Sequence, residues 1–192
     1  MNNMLSKALR EFMSGPLNQL LVNLAGEESQ VWEDALKRFL RKENPWPSAA
    51  NNVYLLTVDY SRSVEAGIAA GKYDWKNNDI TSKNFPTTRA GVAELEIQLV
   101  HFNREISSDE AIGELDKMGL RPAELHELLA FGENYPDVQR EFPVIALGSG
   151  WRDSYGFRCV PYLDRSGSWR DLDLLWLGSG CHGYCRFAAV RK

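Results

Sequence analysis

The chain closes with LLWLGSGCHGYCRFAAVRK, residues 174–192, which joins two strand-like runs through a segment of unusual composition. The runs are Leu174–Leu177 and Phe187–Val190, and the joining segment Gly178–Cys185 has the sequence GSGCHGYC. Such a mixture suits a metal knuckle, a loose turn or a binding surface. This stretch decides the fold class, because it completes a series of short strands that contrasts with the helical first part of the chain.

The series of strands begins at Phe142, where the pattern of the sequence changes. From there short apolar runs alternate with turns rich in glycine, serine and aspartate, which is typical of short strands. The expected strands are Pro143–Leu147, Phe157–Leu163, Leu172–Leu177 and Arg186–Val190. A run of strands that follows a run of helices predicts the α+β class.

The first part of the chain predicts mainly helices. Apolar residues at helical spacing indicate an amphipathic helix over residues 2–25, broken at Gly15-Pro16, and a second helix from Gly26 to about Lys42. The remaining expected elements are, in chain order, a strand Val53–Val58, a short helix Ser63–Ala70, an irregular loop 72–90, a strand Glu94–Val100, a helix Ala111–Met118 capped by Ser107–Glu110, and a helix from Arg121 to about Gly132. We expect a helical extension over residues 1–47 and one domain over residues 48–192.

The composition is that of an ordinary globular protein and excludes several classes of function. The 192 residues are 44% hydrophobic and 25% charged, with a net charge of −4, which argues against a dedicated nucleic-acid-binding protein. No apolar run reaches the roughly 18 residues that span a bilayer, and the first residues lack the apolar core of a signal peptide. The three cysteines argue against a secreted disulfide scaffold. We expect no transmembrane segment and a cytoplasmic or virion-associated location.

The tail is unusual in the residue types that it lacks. Residues 143–190 contain no lysine, glutamate, glutamine, asparagine, threonine or methionine. Tyrosine, tryptophan, serine, glycine and arginine remain, and these residues provide the contact area and the donors of recognition surfaces. Lysine and glutamate, by contrast, are depleted at the centres of interfaces. The composition leaves two interpretations of equal weight, which are a binding surface and an ordinary turn-rich sheet.

Metal binding is a competing interpretation of the joining segment. Cys181, His182 and Cys185 form a dense group of ligand-type residues, and Cys159 is a third thiol. Structural zinc sites usually use two pairs of closely spaced ligands, and the second pair is missing here. Because Cys181 and His182 are adjacent, both could bind one ion only with strain in the loop. We expect neither a metal nor a cofactor.

Nucleophilic catalysis is another competing interpretation. The triplets Gly148–Gly150 and Gly178–Gly180 each hold a serine after a predicted strand, but neither matches the G-x-S-x-G pattern of a nucleophile elbow. His101 lies at the end of a predicted strand and His126 on a predicted helix, where a histidine is more often structural or solvated. No phosphate-binding loop or dinucleotide fingerprint is present. We expect that the protein is not an enzyme, although a pocket that joins His101 or His126 to a nucleophile would indicate a hydrolase.

Three segments together resemble a known family. MGLRPAELHELLAFG, residues 118–132, is similar to a segment of C-type lectin folds in the formylglycine-generating-enzyme branch. REFPVIALGSGWR (140–152) and CRFAAVRK (185–192) resemble microbial proteins whose last segment varies greatly, and the combination resembles the variable proteins of diversity-generating retroelements. The resemblance implies a C-type-lectin-like fold with a short-stranded antiparallel sheet and two helices, in which the last strands end beside the strand 94–100. The metal-dependent cysteine chemistry of the formylglycine enzymes is not implied, because its active-site pattern is missing.

The resemblance also implies a cause for the composition of the tail. In that family a reverse transcriptase rewrites adenines near the 3′ end of the gene, and the fold displays the varied residues to a ligand. An AAC or AAT codon that varies only at its adenines never yields lysine, glutamate, glutamine, methionine or tryptophan. Every residue of Asp153–Phe157, Asp164–Ser168 and Leu177–Cys185 belongs to the permitted set. The tryptophans of the tail do not, so they are expected to be fixed parts of the scaffold.

The expected function is ligand binding by a diversified surface over about residues 148–186, with an unknown protein or surface ligand as partner and no nucleic acid. Side chains on the last strands and turns are expected to face solvent. The expected ligand-binding residues are Asp153, Ser154, Tyr155, Phe157, Tyr162, Asp164, Arg165, Ser166, Ser168, Arg170, Asp171, Asp173, Leu175, Leu177, Ser179, Cys181, His182, Tyr184 and Cys185. The alternative is a non-enzymatic oligomerising or protein-interaction module of unknown partner, and a homo-oligomer is compatible with both functions.

Overall fold

The computed structural model describes residues 15–26, 29–40 and 52–192. The chain divides into two compact units, Met1–Ala50 and Asn51–Lys192, close to the predicted boundary after residue 47. The described part of the first unit holds two helices, α1 (Pro16–Ala25) and α2 (Ser29–Leu40). Pro16 occupies the first position of α1, where its missing N–H costs nothing, so a helix begins at the position of the predicted break. The part of that predicted helix that precedes Gly15 lies outside the described residues.

The second unit is an α+β domain, which confirms the predicted class. Its helices are α3 (Val64–Gly71), α4 (Ser108–Lys117) and α5 (Leu125–Asn134). Its strands are β1 (Val53–Asp59), β2 (Trp75–Lys76), β3 (Val92–Val100), β4 (Leu120–Pro122), β5 (Val144–Ile145), β6 (Trp151–Arg152), β7 (Arg158–Ser166), β8 (Trp169–Trp176) and β9 (Arg186–Arg191). Two short 3₁₀ turns, Val138–Arg140 and Leu177–Ser179, complete the unit.

The nine strands form one mostly antiparallel sheet. Its order is β1-β3-β9-β5-β7-β8-β2, with β4 paired to β9 and β6 paired to β7, and the β5–β9 and β2–β8 pairs are parallel. The last strand lies beside β3, with Ile97 opposite Val190, as expected. The expectation of short strands is wrong for three strands of this sheet. β3 and β7 have nine residues each, and β8 has eight.

Local sequence explains where the helices begin. The Ser107 hydroxyl accepts a hydrogen bond from the N–H of Glu110, whose carboxylate accepts from the N–H of Ser107, and this reciprocal cap starts α4. The helix predicted from Arg121 begins later, at Leu125. Leu120–Pro122 instead form β4, and the Ala123 N–H donates to the Ala188 carbonyl at 2.8 Å. Pairing with β9 therefore holds this segment extended until the chain leaves the sheet.

The sheet separates two hydrophobic clusters. Val144 and Ala146 belong to the cluster that contains the apolar residues of α3 and α5, whereas Ile145 belongs to the cluster that contains those of α4. Because successive side chains of a strand point to opposite faces, the clusters lie on opposite faces of the sheet. We call these the α5 face and the α4 face. Phe187 and Ala188, on the central strand β9, divide between the α4 face and the α5 face in the same way.

Candidate functional site

The predicted binding residues centre on the hairpin of β7 and β8. Val160 lies opposite Leu175 in this pair, and both pack in the cluster of the α4 face. Alternation along the strands then places further cross-strand pairs on the α4 face, namely Tyr162 with Asp173, Asp164 with Asp171, and Ser166 with Trp169. The pairs between them lie on the α5 face. The register of one hairpin thus determines which predicted residues can share a surface.

The structure divides the predicted site residues by exposure. The exposed ones are Ser154, Tyr155, Phe157, Arg165, Ser166, Ser168, His182 and Tyr184. The half-buried ones are Asp153, Tyr162, Asp164, Asp173, Leu175 and Leu177. The backbone of Ser179 belongs to the turn Leu177–Ser179. The exposed side chains can contact a partner fully, and the half-buried ones can do so with the part of their surface that faces solvent.

Four predicted site residues are buried, which corrects the expectation that they face solvent. They are Arg170, Asp171, Cys181 and Cys185. The Arg170 guanidinium donates to the carbonyl oxygens of Gly71 and Gly132, both at 2.6 Å, and lies 5.0 Å from the centre of the Tyr73 ring. The Arg170 side chain is therefore packed inside the α5 face, below the hairpin. Burial lowers the pKa of its guanidinium.

The joining segment 178–185 is an anchored loop. Cys181 exchanges two backbone hydrogen bonds with Ile106, at 2.8 and 3.1 Å, and the His101 ring donates from Nε2 to the Gly183 carbonyl at 2.6 Å. A Cβ at Gly183 would meet the backbone of Arg104 at 3.1 Å, so the close approach favours glycine. Of the three interpretations of this segment, the loose turn is excluded by these contacts.

The cysteines of the loop belong to the core. Cys159, Cys181 and Cys185 are free thiols and all are buried. Burial raises the pKa of the Cys181 thiol, and burial together with neighbouring charges raises that of Cys185 to about 11. Among the residues that the structure describes, no group of three histidine, cysteine or acidic side chains could hold a metal ion.

Exposed aromatic side chains are concentrated in the tail. Tyr155 is 84% exposed, and Trp169 is 58% exposed. The rings of Phe157 and Trp176 meet edge to face with centroids 5.3 Å apart. The tail's tryptophans were expected to be scaffold. Trp151 does pack against the core cluster of the α5 face, but Trp169 and Trp176 are exposed.

The exposed tail residues form separate groups. Phe157 and Trp176 lie at the end of the hairpin where β7 begins and β8 ends, whereas Ser166 and Trp169 lie at the opposite end. A nine-residue strand rises about 3.3 Å per residue, so these groups are separated by on the order of 25 Å. The His182 and Tyr184 rings stack with centroids 5.5 Å apart on the anchored loop. A single small ligand could not contact both ends of the hairpin.

Acidic side chains of the hairpin meet on the α4 face. Asp164 lies directly opposite Asp171, and Asp173 is the next residue of β8 on that face. Burial raises the pKa of Asp164, and the charges of Asp171 and Asp173 raise it further, against the lowering effect of the Arg165 N–H and guanidinium. Parallel pairing places Trp75, on β2, beside Asp171. Sequence reasoning missed Trp75, because it lies in a segment predicted to be an irregular loop and no local pattern marks it.

A cavity of about 160 Å³ opens between β1, α3 and α5, away from the hairpin. His126 and Ser63 both line it. His126 Nε2 donates to the Arg62 carbonyl at 3.2 Å, and the Ser63 hydroxyl accepts from the Ala66 N–H at 3.1 Å as the cap of α3. No hydrogen bond joins the His126 and Ser63 side chains in the described part of the chain.

No described helix combines the length and the apolar character that crossing a bilayer requires. Comparisons with protein-family models, with curated proteins and with solved structures found no match to this chain. A function for the chain is therefore inferred from its own residues and their geometry.

Proposed function

We propose that the chain is a ligand-binding protein whose C-terminal surface is diversified by a retroelement and displayed on a C-type-lectin-like scaffold. The observation that carries the proposal is the concentration of exposed aromatic side chains in the tail. Among the described residues, the exposed large hydrophobic side chains between positions 155 and 184 are all aromatic: Tyr155, Phe157, Trp169, Trp176 and Tyr184.

Exposed aromatic rings have a physical meaning in this position. The rings occupy separate places, with Phe157 against Trp176 at one end of the hairpin and Trp169 at the other. Each exposed ring gains free energy of burial when a partner covers it. Tyrosine and tryptophan are also the side chains that most often dominate binding energy. Strand β8, which carries Trp169 and Trp176, buries Leu172 in the core of the α5 face. These two rings are thus held on a rigid support, which lowers the entropy lost on binding.

The topology supports a lectin-like scaffold. The last strand β9 returns to the middle of the sheet beside β3, and α4 and α5 lie between these strands in the sequence. The segments whose residues all belong to the permitted codon set are 153–157, 164–168 and 177–185, and they lie mostly at turns or strand ends. The buried positions in and near these segments narrow the proposed variable set to the exposed residues.

Sequencing the gene's surroundings tests the diversification. We expect a near-repeat of the last coding segment beside a reverse transcriptase gene, with mismatches only at adenines. The mismatches should fall on codons of exposed residues such as Tyr155, His182 and Tyr184, and should spare the codons of Trp169 and Trp176. A complete genomic neighbourhood without such a repeat would contradict the proposal.

A protein-interaction module is the second candidate, favoured by two exposed apolar side chains at one edge of the sheet. Leu55 is 72% exposed on β1, which is an edge strand among the described residues, and Val92 is exposed on the adjacent β3. Light scattering after size-exclusion chromatography distinguishes the candidates. If the edge assembles copies of the chain, Leu55→Asp should reduce the measured mass. A display surface predicts that neither Leu55→Asp nor Tyr155→Ala changes it.

A further inference from the structure

We infer that the α4 face of the β2–β8–β7 end of the sheet binds an alkylammonium group of a ligand between paired carboxylates and two indole rings. The inference deepens the proposed function, on which it rests, by naming a chemical class of ligand for one part of the tail. The residues that form this site, called the cation site below, are Trp75, Asp164, Trp169, Asp171 and Asp173.

The carboxylates of this site share one face of the hairpin. Asp164 and Asp171 are direct cross-strand neighbours, and Asp173 follows Asp171 on the same face. Like charges directly opposite each other destabilise a sheet. Three carboxylates on one face of a hairpin therefore produce a concentrated negative potential, which a positive ligand would neutralise.

Hydrogen bonds compensate these charges only in part. Asp173 Oδ1 accepts from Asn77 Nδ2 at 2.9 Å and from the Leu174 N–H at 2.7 Å, and Arg165 lowers the pKa of Asp164. None of the three carboxylates forms an ion pair with a described residue. Asp171 is only 9% exposed, and although its Oδ2 accepts a hydrogen bond from the Ser166 hydroxyl, its Oδ1 is buried without any partner. A buried acceptor without a partner costs free energy, and buried charges are normally paired. Asp171, between Asp164 and Trp75 in the sheet, thus leaves an acceptor atom without a partner among the described residues.

Two indole rings lie on the same face as the carboxylates. Trp75 is the parallel neighbour of Asp171 on β2, and Trp169 precedes Asp171 by two residues on β8, so both belong to the α4 face. They are 45% and 58% exposed. The face of an indole attracts cations, and aromatic rings beside carboxylates are a recurring means of binding quaternary ammonium groups. Rings and carboxylates together offer both attractions to one ligand.

The ligand chemistry is that of an organic cation. A metal ion requires a set of converging ligands, and no such group of three exists among the described residues. An alkylammonium group instead combines diffuse positive charge with apolar methyl or methylene groups, which suits indole rings. The potential of the face is negative, so the ligand must be positive to be bound there.

The test titrates the full chain with choline and, separately, with its neutral isostere 3,3-dimethylbutan-1-ol. The readout is the NMR signal of each indole N–H, assigned with Trp75→Phe and Trp169→Phe variants. We expect choline to shift the signals of Trp75 and Trp169 with saturation in the millimolar range, and the alcohol to shift them far less. Equal shifts by both compounds, or no saturable shift by choline, would overturn the inference.

Matched variants locate the charge. Asp164→Asn should weaken choline binding by about fivefold or more, since it removes one charge at the site. Asp109→Asn removes the same charge from the exposed first turn of α4 and should leave the dissociation constant unchanged. Trp176→Phe, which alters an exposed indole on the other face, should also leave it unchanged. An Asp164→Asn variant that folds normally and binds as the wild type does would contradict the inference.

The two proposals fail separately. A retroelement repeat in the gene together with absent choline binding would overturn the cation site and leave the display function. Saturable, charge-dependent choline binding without any repeat would overturn diversification and leave a binding site for alkylammonium groups.

Discussion

Asp164 faces Asp171 directly across the ladder of β7 and β8, and no described cation pairs with either carboxylate. This opposition sets the chemistry of the hairpin's α4 face. Repulsion between these two carboxylates lowers the free energy of unfolding of the ligand-free protein. Removing one of the charges should therefore raise that free energy without any ligand.

The first prediction concerns this repulsion. Asp164→Asn should stabilise the domain by about 0.5 kcal/mol at pH 7, because like charges across a ladder destabilise it. The free energy of unfolding in urea measures the gain. Because the pKa of Asp164 is raised in the folded state, the wild type should recover the difference as the pH falls through that pKa. In the Asp171→Asn background the gain should shrink, and an unchanged gain would show that the pair does not repel.

The second prediction concerns the buried ion pair of Glu127. Its carboxylate is fully buried and accepts hydrogen bonds from both Arg121 terminal nitrogens, at 3.0 and 2.7 Å, and from the Tyr60 hydroxyl at 2.5 Å. Arg121→Met should cost about 3–5 kcal/mol in the free energy of unfolding, because an unpaired buried charge remains. The double variant with Glu127→Leu should recover much of that loss. If Arg121→Met alone is nearly neutral, the pair does not stabilise the fold as described.

The third prediction is the pH dependence of the same group. Burial raises the pKa of Glu127, but hydrogen bonds from Arg121, Tyr60 and the Glu124 N–H outweigh it and lower the pKa below the ordinary value. A depressed carboxyl pKa contributes stability that is complete above the unfolded pKa and is lost as the pH falls through the folded one. The stability difference between wild type and Glu127→Gln should therefore diminish from about pH 4.5 downward. A difference that grows with acidity would contradict this assignment.

The fourth prediction separates exposed from buried tail positions. Alanine at Tyr155, His182 and Tyr184 together should lower the melting temperature by no more than about 6 °C, since surface changes usually cost within about 0.5 kcal/mol each. Arg170→Ala alone should cost about 3 kcal/mol or more, because the buried carbonyls of Gly71 and Gly132 lose their donors. Differential scanning calorimetry measures both. A fall above about 8 °C for the triple variant would contradict a display surface there.

The fifth prediction concerns the thiols. All three cysteines are buried, and burial raises each thiol pKa, most clearly at Cys185. Since the thiolate is the reactive form, the native protein at pH 8 should react slowly with a disulfide reagent. Unfolding in guanidinium should release three rapidly reacting thiols. Fast labelling of Cys181 in the native protein, located by mass spectrometry, would contradict the burial of the loop.

Local patterns predicted most of the elements but not the positions of the site residues. Ser107 and Glu110 predict the start of α4, and the alternation in Glu94–Val100 predicts most of β3. Both signals are readable because caps and periodicity act within a few residues. By contrast, Leu120–Pro122 form a strand only because β9 is there to pair with them. Which of two adjacent residues faces solvent depends on strand register, and a shift of one residue would exchange the faces.

By itself the sequence indicated the α+β class, most of the elements, and a tail whose composition suits a binding surface and an ordinary turn-rich sheet equally. The tertiary structure decided that Arg170, Asp171, Cys181 and Cys185 are buried, and that Trp75 joins two carboxylates of β7 and β8. The physical reason is the distance along the chain over which each kind of interaction acts. Propensity, caps and composition are local, whereas burial and cross-strand opposition arise from pairing between segments that are far apart in the chain, with 96 residues separating Trp75 from Asp171.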